Sequence, residues 1–245
     1  MGRSRTFAPH ATYCFGVLIS RSISLAVVGA TGLVGEAGLE KLAATGLSFS
    51  QVHALASTES AGKRIEFGDR LLKVAELASF DFSQAEVALL VVPPAVSLEH
   101  ARRAAEQGCL VLDLSGVWLA DGSVPIWSER ALMQDPEILQ QHRLISVLAG
   151  APAIVAEFVA ALSELPLQRI GCTSLMPASF GGRAVLEDLA RQTARLLNSQ
   201  EAEPTVTPVQ YAFSLLAAGS ASLGSGALAP AQSLQLALAR SPASA

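Results

Sequence analysis

The chain has 245 residues, 51% of them hydrophobic and 16% charged, with a net charge of −4. That length suits one large or two ordinary domains with a sizeable apolar core. The sparse, mildly acidic charge argues against nucleic-acid binding, which needs a clustered basic surface.

Residues 1–22 precede the first convincing strand and hold Arg3, Arg5 and Arg21 around a short apolar run at 13–19. A signal peptide would want a cleaner apolar segment and a small-residue cleavage site. The expectation is an N-terminal extension, or a start codon assigned too early, and poor order with it. No stretch has the length and continuity of a transmembrane helix. Cys14, Cys109 and Cys172 stand apart without paired spacing. That supports neither zinc nor a disulfide framework and favours a reducing cytoplasm.

The apolar run Ile23-Ser-Leu-Ala-Val-Val28 reads as a buried strand, and Gly29-Ala-Thr-Gly-Leu-Val-Gly35 follows it directly. Leu33, Val34, Ala37, Leu39, Leu42 and Ala43 suit a helix packed on a sheet, with Gly46 as its stop. A glycine turn between a strand and a helix lets the backbone approach a pyrophosphate, which meets free N–H groups and the positive dipole end. The bland alternative is a structural strand-to-helix turn. A P-loop is disfavoured, because no Gly-Lys-Ser/Thr closes the motif.

Val52-His-Ala-Leu-Ala-Ser57 reads as a second strand leaving into Ser57-Thr-Glu-Ser-Ala-Gly-Lys63, where a ribose-binding acidic residue is expected. A short hairpin over 64–68 and 71–74 follows. The last six residues of 81–92 form a buried parallel strand ended by Pro93-Pro94. A helix over 97–107 stops at Gly108, and 109–114 is the next strand. This alternation predicts a doubly wound α/β sheet, with Gly29–Gly35, Pro93-Pro94 and Asp113-Leu-Ser-Gly116 on its carboxyl edge. Beyond about Ser146 the pattern predicts a helix over 154–165, a strand over 170–175, a turn at Pro177-Ala-Ser-Phe-Gly-Gly182, an amphipathic helix over 184–198 and a polar loop over 198–208. Residues 217–245 are nearly all Ala, Ser, Gly, Leu, Pro and Gln, with Arg240 the one charge. A core-packing helix should show a charged face, which this tail lacks. The tail reads as a departure from the ancestral frame near Leu216, or as a low-complexity linker.

Several motifs, in order, resemble the aspartate-semialdehyde dehydrogenase family. Gly29-Ala-Thr-Gly-Leu-Val-Gly35 resembles its nucleotide turn, and Ala56-Ser-Thr-Glu-Ser-Ala-Gly-Lys63 its second-strand loop, the most specific match. Asp113-Leu-Ser-Gly116 resembles its Asp-Asn-Ser-Ser segment, Ser179-Phe-Gly-Gly182 its Ser-Gly-Ala-Gly turn, and Tyr211-Ala-Phe-Ser-Leu-Leu216 its Tyr-Ala-Phe-Asn segment. The likeness covers about residues 23–216, roughly the first two thirds of a family member, and is greatest to a divergent paralogue group with the Asp-Leu-Ser-Gly form. It implies a Rossmann-type parallel α/β sheet over 23–148 and an incomplete α+β dimerisation and catalytic domain over 149–216. An extension over 1–22 and a low-complexity tail over 217–245 flank them.

The resemblance also implies NADP-linked interconversion of aspartate semialdehyde and aspartyl phosphate through a cysteine thiolate, a histidine base and anion-binding arginines. Gly29, Thr31, Gly32, Leu33, Val34 and Gly35 would hold the pyrophosphate, and Ser57, Ser60, Ala61 and Gly62 would lie near the adenine ribose. Glu59 stands where the family often places an arginine for the 2′-phosphate, which leans the cofactor from NADP toward NAD. Lys63 and Arg64 could partly restore phosphate binding, and a solvated loop glutamate is the alternative for Glu59.

A homodimer through the second domain is implied too. The catalytic residues depart from the pattern, however. Alignment by eye puts the family's cysteine at Ala151 or Pro152, with Ser146 the one nearby hydroxyl and too early; Leu119 replaces a phosphate-binding arginine. The family's histidine belongs to the part following Leu216, where this tail has none. Cys109 and Cys172 are expected to be buried structural thiols. His53 and His100 read as surface or core fillers, His142 as a solvated turn residue, and Trp118 and Trp127 as sheet-edge packing. Two readings remain: an aspartate-semialdehyde dehydrogenase-like protein that binds a nicotinamide dinucleotide and is expected to be inactive, or a non-catalytic degenerate paralogue or interrupted gene product that keeps a Rossmann domain as a binding or interaction module.

Overall fold

The computed structural model describes residues 22–127, 137–162, 168–216 and 230–239. Strand β1 (Ile23–Val28) turns at Gly29 into helix α1 (Leu33–Ala44), and β2 (Phe49–Ala56) returns beside β1. The hairpin β3 (Arg64–Phe67) and β4 (Arg70–Lys73) and the short β5 (Ala75–Glu76) come next. Then follow β6 (Val87–Leu90), α2 (Pro94–Glu106), β7 (Leu110–Asp113), β8 (Ile126–Trp127), α3 (Ile138–Gln141), β9 (Leu144–Val147) and α4 (Ala151–Ala161). Helices α5 (Arg183–Leu197) and α6 (Pro230–Ala239) lie beyond.

Seven strands form one sheet in the order β5-β2-β1-β6-β7-β9-β8, every pairing parallel. The strands are buried on both sides, as the unbroken apolar runs require. Ala26 and Val28 join Leu55, Leu90, Val111 and Phe82 in one core beneath α2. Leu25 and Val27 point the other way, to Leu39 of α1 and Phe67 of the hairpin. The chain leaves β1 toward β2 on one side and reaches β6 on the other. That places the switch point of the sheet, where such folds bind ligands, at the exits of β1 and β6.

The doubly wound sheet expected over 23–148 is present, with small differences. Helix α2 starts at Pro94 rather than 97, because proline at the first position has no N–H to lose and its φ suits a helix. The strand expected over 170–175 is absent: residues 168–177 carry no ladder, and Ile170 and Leu175 are exposed. Helix α5 matches the amphipathic expectation to within a residue at each end. The tail does form a helix over 230–239, a stretch without charge, and α6 packs on α4, itself apolar apart from Glu157, so no charged face is required. The extension over 1–21, most of the tail and the far end of the 154–165 helix lie outside the described residues. No helix among the described residues is long and apolar enough to cross a membrane.

Candidate functional site

The exit of β1 is built by backbone bonds. Gly29 and Ala30 N–H both donate to Leu55 O, at 2.9 and 3.1 Å, which fastens the turn to β2, and Gly32 N–H donates to Gly29 O at 3.0 Å. Gly29 has φ +87°, and a Cβ there would lie 2.5 Å from Val91 O at the β6 exit. A Cβ at Gly35 would lie 2.2 Å from Gly29 O. Both glycines are therefore demanded by the turn itself.

Gly32 is different. It is exposed, its φ is −79°, and a Cβ would meet Gly29 O alone, at 3.2 Å, a tight contact that would ask that carbonyl to give by a few tenths of an ångström. It caps α1 without any side-chain bond. The helical ladder begins with Glu36 N–H on Gly32 O at 2.9 Å, so the N–H groups of Leu33, Val34 and Gly35 precede the first intrahelical bond. Thr31 is half-buried beside them and Val34 is exposed. A turn stripped of side chains, facing N–H groups at a positive dipole end, is the surface an anionic pyrophosphate fits.

The second loop sits on the same edge. Ser60 and Ala61 N–H close on Ser57 O at 2.9 and 3.1 Å, and Gly62 N–H donates to Val74 O at 2.9 Å. Thr58 Oγ1 donates to Glu76 Oε1 at 2.6 Å, tying the loop to β5. Ser57, Glu59, Ala61 and Gly62 are exposed and Ser60 is half-buried. Lys63 Nζ reaches Ser60 Oγ at 3.4 Å, whereas Arg64 lines an open cleft of about 750 Å³ between α1 and β3. That cleft runs from Leu33 and Glu36 along α1, away from the carboxyl edge, and flanks the site rather than forming it.

Asp113 ends β7 fully buried. It accepts from Ser97 Oγ at 2.5 Å and from the N–H and hydroxyl of Ser115 at 3.1 and 2.7 Å, and Trp118 Nε1 donates to Ser97 Oγ at 2.9 Å. Burial pushes the Asp113 carboxyl above its ordinary value, against the opposing pull of Ser97, Ser115 and Gly116. Trp118 is thus a buried donor, while Trp127 stands in the edge strand β8.

Ala151 and Pro152 open α4 just past the β9 exit, a helix N-terminus at which a thiolate would be stabilised. Neither carries a nucleophile. Ser146 lies within β9 with its Oγ buried and unbonded, paired in register with Asp113. Leu119 is buried and apolar. Cys109 precedes β7 at the opposite edge of the sheet; its Sγ donates to Ala85 O at 2.7 Å, and burial pushes the thiol up to about 11. Cys172 corrects the expectation of burial: it is exposed, because the strand meant to cover it does not form. Cys14 lies outside the described residues. Burial holds His53 and His100 below their ordinary 6.5. His53 stacks near Phe80, with ring centroids 5.0 Å apart, and His100 is buried on α2; both are packing residues. His142 follows α3, half-buried. Among the described residues no three metal-ligating side chains gather.

The structure thus brings together the two loops that the sequence singled out, and among the described residues none of the cysteines or histidines lies beside them. Sequence reasoning missed two features. Ser97 and Trp118 complete the Asp113 cluster from separate elements. Arg183, the first residue of α5, reaches Glu36 of α1 at 2.7 Å across 147 positions. Neither pairing has a local signal in the sequence.

A family model described as "Semialdehyde dehydrogenase, NAD binding domain" matches residues 24–161. The USG-1 protein homolog of Pseudomonas aeruginosa is 37% identical over 203 residues, covering 81% of this chain and 59% of its own. Aspartate-semialdehyde dehydrogenase of Legionella pneumophila is 32% identical over 205 residues, covering 81% of this chain and 57% of its own. The solved structure of a probable aspartate-semialdehyde dehydrogenase from Pseudomonas aeruginosa superposes with a TM-score of 0.72 at 34% identity, over 87% of this chain and 64% of that one. The chain spans less than two thirds of the length of these relatives.

Proposed function

The chain belongs to the semialdehyde dehydrogenase family, and from that premise we propose that it binds a nicotinamide dinucleotide without performing the family's thiolate chemistry. The observation that carries the binding reading is Gly32. The fold demands glycine at 29 and 35 outright, whereas at 32 an added Cβ would meet one backbone oxygen at 3.2 Å and otherwise stand over the open helix N-terminus, where a ligand would approach. The N–H groups of Leu33, Val34 and Gly35, with Thr31 and the bare backbone of Gly29 and Gly32 beside them, would hold the pyrophosphate, and Ser57, Ser60, Ala61 and Gly62 would flank the adenine ribose. Glu59 would accept from a ribose 2′-OH and repel a 2′-phosphate, which favours NAD over NADP. Bound there, the nicotinamide would supply or accept a hydride.

The reading of no catalysis rests on Ala151. The residue that opens α4 has no atom to attack an aldehyde, and Ser146 behind it is sealed within the sheet. Aspartate semialdehyde is carried over from the relatives' names as the substrate class of the ancestral site, and a cytoplasmic homodimer from the family resemblance. An interaction module on the same Rossmann domain is the second reading, favoured by the exposed apolar residues Ile154 and Phe158 of α4.

Thermal unfolding tests the proposal. NAD at a hundredfold excess over its Kd should stabilise the chain by about 2.7 kcal/mol, or roughly 5–10 °C in Tm. Gly32→Asp should abolish that shift. The same protein given NADP, aspartate semialdehyde and phosphate should show no cofactor reduction. No stabilisation of the unmutated chain by NAD or NADP overturns the binding reading. Turnover by the unmutated chain overturns the reading of no catalysis, and its loss on replacing all three cysteines by alanine would assign it to a thiolate.

A further inference from the structure

Arg183 occupies a place that its own helix disfavours. It is the first residue of α5, where the dipole prefers an anion, and the first turn of α5 holds no acidic residue. Its guanidinium leaves that helix and donates to Glu36 Oε2 at 2.7 Å. Glu36 sits in the first turn of α1, one residue beyond the glycine turn. Side chains on a helix lean toward its N-terminus, so a ligand at the N–H groups of Leu33, Val34 and Gly35 would lie on the side toward which Glu36 and its partner lean. The pair is 49% and 47% exposed. An ion pair so wet contributes little and exchanges partners readily.

We propose that Arg183 is a phosphate-binding residue of the nucleotide site, held by Glu36 until a dinucleotide arrives and then passed to its pyrophosphate. This inference rests on the dinucleotide reading above and names a residue from outside the matched NAD-binding segment. The chemistry favours the exchange. A pyrophosphate offers several anionic oxygens in the geometry of the guanidinium fork, whereas Glu36 receives a single 2.7 Å bond. The transfer would also draw the first turn of α5 onto the ligand, so that the segment after 168 reports on occupancy of the Rossmann site.

Titration calorimetry with NAD on four proteins tests this: the unmutated chain, Arg183→Gln, Glu36→Gln and the double variant. Both residues are half exposed, so circular dichroism should show each variant folded. Arg183→Gln should weaken NAD binding about tenfold, and Glu36→Gln should tighten it by removing a competitor and a repelling charge. The deciding comparison is Arg183→Gln within the Glu36→Gln background. A loss of similar size there supports direct contact with the phosphates. A loss that vanishes there means Arg183 only neutralises Glu36, which overturns the proposal. An unchanged affinity for Arg183→Gln alone overturns it too, while the dinucleotide reading stands. No NAD binding by the unmutated chain overturns that reading and this inference together.

Discussion

Glu59 stands exposed on the loop after β2, held at a fixed height by the Thr58–Glu76 bond at 2.6 Å. A carboxylate there costs about 1 kcal/mol for each facing negative charge at 4 Å in water. Glu59→Gln should therefore tighten NADP binding by about fivefold or more and leave NAD within about twofold, as read by titration of each cofactor. Equal gains for both cofactors would place Glu59 away from the ribose. At this scale the sequence was informative where one residue answers to its immediate neighbours. Gly29 and Gly35 were legible because the turn needs them, and the loop carrying Glu59 because it follows a strand. The Arg183–Glu36 pair and the Ser97–Asp113–Trp118 cluster were not, since each joins elements whose distance is set by the sheet and not by the chain.

Helix α5 shows how an element can carry its own closure. Asp188 is buried and accepts from the N–H groups of Thr205, Val206 and Thr207 at 3.0–3.3 Å, and from Gln192 Nε2 at 3.1 Å. Burial opposes its ionisation, but the backbone of Thr207 and Val206, Arg191 and the Thr207 hydroxyl outweigh it and hold the carboxyl well below the usual carboxylate range. Gln192 adds its Oε1 to Tyr211 N–H at 2.8 Å, so one helix face ties down the whole return segment. Because the folded-state value is depressed, the stabilisation is present above the ordinary 3.8 and is lost as pH falls below it. Asp188→Ala should cost about 1–3 kcal/mol for each N–H left unmet, and hydrogen exchange at 205–207 should rise to the rate of an open loop. Protection unchanged in that variant would show that the loop is held otherwise. The sequence predicted the amphipathic helix but read 198–208 as a plain polar loop, because an acidic residue inside a helix resembles a solvated one until its partners fold back.

Among the described residues, the sheet and its helices close on a core, while α4 and residues 213–215 leave apolar side chains open. Ile154 and Phe158 are 73% and 65% exposed one turn apart on α4, and Phe213 and Leu215 are 75% and 82% exposed. Such a surface calls for a partner, and the homodimer carried over from the family is the one proposed here. Sedimentation should show a dimer that Ile154→Glu with Phe158→Glu converts to a monomer, with the main thermal transition unmoved. A heterogeneous mass distribution would point to non-specific association instead. The sequence by itself determined the α/β class, the central strands and the glycine turn, since these follow from apolar runs and turn chemistry. Only the tertiary structure decided which strands adjoin, that Cys172 is exposed, that α6 packs against α4, and that Arg183 meets Glu36. Those outcomes depend on long-range packing, whose energy belongs to pairs of elements and leaves no periodicity in either one.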